Sequence, residues 1–228
     1  MYKLQKQKGI KLTMKKQEKR TKGIIIQTIK TNIQNNKKQY LVVSIIFLIG
    51  LIVGVTFLNN IDTASNENTS KYILNFIEAL KTDYQIDKIS LLKSSIINYL
   101  IIAIIIWFMG STVVGIPIVY LIVAFKGFSL GYTISCILIT LGTGKGILFS
   151  IASLFFQNII IIPCILAIAV SGIKLYSSIM KDRRRENIKI EILRHTMFSL
   201  FITIMFVVAS FIEVYISSNL LNICIKFL

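Results

Sequence analysis

Residues 95–125 read SIINYLIIAIIIWFMGSTVVGIPIVYLIVAF, thirty-one positions without a charge. The neutrality extends on both sides. No acidic residue lies between Asp87 and Asp182, and across residues 94–180 the only charges are Lys126, Lys145 and Lys174. The remainder is mainly Ile, Leu, Val, Phe, Ala and Gly. No soluble interior is large enough to hide such a stretch. A bilayer is, and it takes up apolar runs of about twenty residues as helices, because a helix satisfies its own backbone there. The chain reads as an all-α, polytopic membrane helical bundle.

The quoted stretch is too long for a simple span, since thirty-one residues reach about 46 Å as one helix. Two spans cut from it would each cover only about 22 Å, short of a hydrocarbon core of about 30 Å. One long span over 95–125 is expected, bent at Gly110, Gly115 and Pro117. Working outward, Leu41–Leu58 is a first span with Gly50 and Gly54 as a G-x-x-x-G packing face. A short span covers 128–141 and a long one 147–173, joined by the turn Gly142–Gly146. The last covers 197–217, and the apolar tail from Ser218 can lie at the interface. That makes five spans, some kinked or broken, in a membrane domain over 41–228.

Charge sets the orientation. The net charge is +16, but it is concentrated. The basic arm 1–40 holds twelve Lys and Arg against Glu18, and 181–195 holds six against three acids. The segment 59–94 holds four lysines and five acids. This is the positive-inside pattern. It places the amino-terminal arm and loop 181–195 in the cytoplasm, and loop 59–94 and the carboxyl terminus outside. The basic segments would also attract anionic lipids, each residue being worth about 1 kcal/mol near the surface. No aromatic-basic interleaving or binding motif accompanies the charge, so nucleic acid is not an expected partner. No A-x-A site follows the first apolar run, which is expected to remain as an anchor. Cys136, Cys164 and Cys224 form no C-x-x-C pair and read as small apolar residues.

Within the outer loop, Ile73, Phe76, Ile77, Leu80 and Tyr84 follow the i, i+3, i+4 stripe of an amphipathic helix. Packing on the protein's own spans is its default; Phe76 and Tyr84 are candidate partner contacts. Gly142-Thr143-Gly144-Lys145-Gly146 resembles a phosphate loop only superficially, because Ile139 stands at the first glycine position and Gly146 follows the lysine. His195 reads as a surface residue at the membrane edge. Glu213 differs, since an ionisable group in a span is costly unless paired. With these spans Lys126 falls near the inner face and Lys145 near the outer, which favours Lys145 as its ionic partner. Glu213 then serves a structural clamp or a proton or substrate pathway. The clamp is favoured because no second acid or histidine accompanies it. Gln157 and Asn158 must hydrogen-bond inside the bundle, and Pro163 frees the carbonyl of Ile159 and kinks its helix. No catalytic constellation, cofactor or metal site is evident.

Lys126-Gly127-Phe128-Ser129-Leu130-Gly131-Tyr132-Thr133 resembles the FKGFSLGFT stretch of the stage II sporulation protein M family. Gly144-Lys145-Gly146-Ile147 and Leu154-Phe155-Phe156-Gln157-Asn158-Ile159 with Pro163 resemble its KG…LPQN…P segment. Phe156 stands where that family usually has proline, which implies a softer break. Ser210, Glu213 and Tyr215 resemble its terminal IEAY signature. The resemblance covers about residues 35–228. It implies a non-enzymatic scaffold of endospore formation, acting at the septal or engulfing membrane. Its implied partners are stage II sporulation proteins D and P, which cut peptidoglycan during septal thinning and engulfment. The alternative from the residues is a small transporter or permease using Lys126, Gln157, Asn158 and Glu213. No internal repeat is evident to support it.

Overall fold

The computed structural model describes residues 33–34, 36–59, 70–78, 87–112, 115–181 and 185–225. Among the described residues every regular element is a helix. Helix α1 is Lys37–Asn59, α2 spans 70–78, α3 is Lys88–Gly110 and α4 is Ile116–Leu141. Helix α5 begins as Thr143–Ser150, passes through a π-helical turn at Ile151–Phe155 and continues as Phe156–Lys181. Helix α6 is built likewise from Arg185–Ile212, a π-turn at Glu213–Ser217, and Ser218–Ile225. Helices α1, α3, α4, α5 and α6 are long and apolar enough to cross a membrane. Residues 1–41 and 42–228 form two units. In the first, the Tyr40 N–H donates to the Asn36 carbonyl at 3.1 Å as α1 begins. The bundle proper is the second.

The spans number five, but their boundaries differ from those expected. Residues 95–125 are not one bent span, and 128–141 is not a separate short one. One helix ends at Gly110, and a new one begins at Ile116 and runs unbroken to Leu141. Local chemistry explains the break. At the end of α3 the Ser111 N–H reaches the carbonyls of Trp107 and Phe108, both at 3.2 Å, and the Thr112 N–H reaches Met109 at 3.1 Å. Gly115 then caps α4, which puts Pro117 in its first turn. There the missing proline N–H needs no partner, so Pro117 starts a helix instead of kinking one. Twenty-six residues give α4 a length of about 39 Å and move Lys126 from the inner edge to mid-span. The expected spans 147–173 and 197–217 also lengthen, α6 absorbing both the end of the basic loop and most of the apolar tail.

Helices α3, α5 and α6 form the centre, with Ile106, Ile168 and Phe206 almost fully enclosed. Helix α3 crosses α5 at a pair of glycines. A Cβ on Gly110 or Gly172 would lie 2.9 Å from the other's Cα, so only glycine permits this approach. The space they leave accommodates His195, which is 2% exposed and not the surface residue expected. Its Nδ1 lies 2.9 Å from the Ser171 hydroxyl.

Helix α1 packs on α4 through two interlocking G-x-x-x-G faces. Side chains at Gly50 and Gly54 would strike the backbone of Ala124 and Phe128; at Gly127 and Gly131 they would strike Phe47 and Leu51. The register rises together on both helices, so α1 and α4 run in the same direction. Phe57 meets Phe128 edge-on at 5.5 Å.

One end of the bundle is closed by α2. Its Ile77 is buried with Ile137 of α4, Phe149 of α5 and Leu221 of α6, and Ile73 packs against the same group. The Thr140 hydroxyl donates to Ser70 at 3.2 Å. The expected amphipathic helix therefore exists in part, turned onto the protein's own spans. Phe76 is 45% exposed, while Leu80 and Tyr84 lie outside the described residues.

Candidate functional site: a polar cluster within the spans

Asp87 fixes the start of α3 by accepting the N–H groups of Ile89 and Ser90 at 3.1 and 3.2 Å. From that start Ser95 and Tyr99, one turn apart, share a face toward α6. Both are buried. There they meet Glu213, the first residue of the α6 π-turn. The Ser95 hydroxyl donates to Glu213 Oε2 at 2.5 Å, and the Tyr99 hydroxyl donates to the same oxygen at 3.2 Å. Lys126 comes from α4, its Nζ 5.6 Å from the centre of the Tyr99 ring. That is within reach of a cation–π contact.

The cation at this site is thus Lys126, whereas Lys145 lies exposed at the α4–α5 turn. The correction follows from the α4 boundary. A lysine at the inner edge reaches headgroups, but one at mid-span needs a counter-charge, because a lone charge at that depth costs several kcal/mol or more.

Helices α3 and α6 are antiparallel, and polar contacts tie them at three levels. At one end Lys88 Nζ lies 3.4 Å from Asn219 Oδ1 and 5.9 Å from the centre of the Tyr215 ring. Midway is the Glu213 cluster, beside the stacked rings of Tyr99 and Phe206. At the other end the Trp107 indole N–H donates to Thr196 at 3.2 Å.

Gln157 and Asn158 follow directly on the α5 π-turn and are both buried. The Asn158 amide donates to the Leu154 carbonyl at 2.8 Å, inserting a side chain into the backbone ladder where the π-turn disturbs it. Gln157 Oε1, Asn158 Oδ1 and the hydroxyls of Ser150 and Ser217 are buried without a hydrogen-bond partner. The two π-turns adjoin each other. Gly127 and Gly131 belong to the α1 contact, and Pro163 lies exposed within α5. Among the described residues no three His, Cys, Asp or Glu side chains come together as metal ligands.

Sequence reasoning singled out Lys126 and Glu213 but missed Ser95 and Tyr99. Their i, i+4 spacing on an otherwise apolar helix was the available signal. The site can hold three helices in fixed register with its charges matched.

No curated protein and no solved structure matches this chain. A family model described as Stage II sporulation protein M matches residues 43–218, from the first span to the end of the α6 π-turn's helix junction. As that match covers well over half of the sequence, the chain belongs to the stage II sporulation protein M family.

Proposed function

We propose that this membrane protein of a sporulation family is a non-enzymatic scaffold that holds peptidoglycan hydrolases at the septal membrane for septal thinning and forespore engulfment. The observation that carries the reading is the Glu213 cluster. Glu213, an acid deep in the last span, is engaged by Ser95 and Tyr99 with Lys126 beside it, so these groups join helices to one another. A rigid bundle suits an anchor. Its α2 end supplies a formed surface that includes exposed Phe76 and Tyr72.

The mechanism is confinement. Tethering a hydrolase to a membrane patch raises its effective concentration at the wall without changing its active site. Positive-inside charge supports an outer placement for α2, facing that wall. Stage II sporulation proteins D and P are the partners the family resemblance suggests.

The test is purification of the tagged protein from cells in early sporulation, with mass spectrometry of what accompanies it. Peptidoglycan hydrolases in stable excess, lost on Phe76→Asp while the protein stays inserted, are the expected result. Recovery of the intact protein alone, together with flux into liposomes abolished by Glu213→Gln, would replace the scaffold with a permease.

A further inference from the structure

Around the two π-turns the chain leaves polar groups unmatched. Ser150 Oγ, Gln157 Oε1, Asn158 Oδ1 and Ser217 Oγ have no hydrogen-bond partner, on residues only 9%, 7%, 8% and 3% exposed. Among the described residues nothing accepts a hydrogen bond from the Lys126 ammonium, which lies over the Tyr99 ring. Hydrocarbon supplies neither donor nor acceptor, and a mid-span ammonium must be paired or wetted. We infer that these groups line a file of water molecules, entered from the α2 end of the bundle and stopping at Lys126 and Glu213.

Register places them in order. Helices α5 and α6 run antiparallel, touching at Ser171 and His195 and again where the π-turns adjoin. Counted from the Ser171–His195 contact, Ser150 and Ser217 both lie roughly 30 Å toward the α2 end, level with each other. Glu213 is one turn deeper than Ser217, and Gln157 lies about 10 Å deeper than Ser150. Oxygens strung over that length cannot converge on one metal ion. A chain of waters can serve them in turn, since a buried water takes about three hydrogen bonds from otherwise unmatched groups. The polar rim of Lys88 and Asn219 stands at the same end. Beyond Glu213 the seam changes character. Ala103, Ile106, Ile202 and Phe206 are buried and apolar, and they separate the cluster from His195. The file is therefore closed on the side away from α2. This goes beyond the scaffold reading and does not depend on it.

The test is silver-ion protection of single cysteines, in a full chain whose Cys136, Cys164 and Cys224 are replaced by alanine. Ser217→Cys and Gln157→Cys probe the file. Ala209→Cys, level with Gln157, and Ala103→Cys, in the apolar closure, are enclosed controls. Silver added from the α2 side should protect the file positions from later maleimide labelling about tenfold faster than the controls. Silver added from the other side should not. Protection of the file positions no faster than of the controls would overturn the file. Equal protection from both sides would overturn its closed end and leave a continuous path, as a permease needs. Should the cysteine variants fail to fold, the unsubstituted chain answers by pulsed hydroxyl-radical oxidation. Buried Tyr99, next to the waters, should be oxidised within about tenfold of the rate at exposed Tyr72. Tyr99 left intact while Tyr72 is oxidised would again remove the file. Hydrolase co-purification bears on the scaffold alone, so either reading can fail without the other.

Discussion

Glu213→Gln keeps the shape of the side chain and its acceptor for Ser95 and Tyr99, but leaves Lys126 without a counter-charge. An unmatched charge within a span costs several kcal/mol. Tyr99→Phe removes one interhelical hydrogen bond, about 0.6 kcal/mol. Thermal unfolding in detergent should therefore show a larger loss for Glu213→Gln than for Tyr99→Phe. Adding Lys126→Met to Glu213→Gln should restore part of that loss, a coupling that a double-mutant cycle reads directly. Equal losses in the two single variants would mean that Lys126 does not depend on Glu213. At this scale the sequence was legible where a residue breaks the apolar pattern: Glu213 is the one acid in the apolar run from Met197 to Ile225. Ser95 and Tyr99 were harder, because hydroxyls are ordinary in spans and their partner lies over one hundred residues away. The burial of His195 was not legible at all. Its pocket exists because two distant glycines lack side chains.

Among the elements, the π-turns and glycine crossings have different tolerances. A π-turn is an α-helix carrying one extra residue. Deleting Ser217 from the second turn should let the ladder close as regular α-helix while the flanking segments keep their faces. Deleting Ile202, within regular helix, instead turns everything on one side of it by about 100°. The first deletion should insert and purify with a melting temperature near the parent's, and the second should aggregate or be degraded. At the α1–α4 contact, Gly54→Val places methyl groups against the Phe128 backbone. Overpacking of this kind costs about 1–3 kcal/mol, and a matching drop in melting temperature is expected. The number of long helices was legible from hydropathy alone. The boundary near residue 115 was not, because Pro117 can mean either a kink or a beginning. What decides is the set of capping bonds from Ser111 and Thr112, which have no simple sequence signature.

For the whole molecule, the cluster of Ile77, Ile137, Phe149 and Leu221 gathers α2, the α4–α5 turn and the end of α6 at one end. These three regions must then share one side of the membrane. Cysteine labelling checks this in cells whose wall admits the reagent. Thr143→Cys should react with an impermeant maleimide in intact cells, and Lys189→Cys only after lysis; the opposite pattern would invert the orientation assigned from charge. The arrangement of Lys126 and Glu213 also bears on how the protein is made. At about 5–20 residues per second, the acid emerges from the ribosome some ninety residues and several seconds after the lysine. During that interval α4 is apolar enough to insert but carries a mid-span lysine with no acid near it. Its final place in the bundle waits for the last helix. The same pair that fixes the finished bundle therefore sets the order of its assembly, and a nascent chain cut before Glu213 presents quality-control proteases with an unmatched charge.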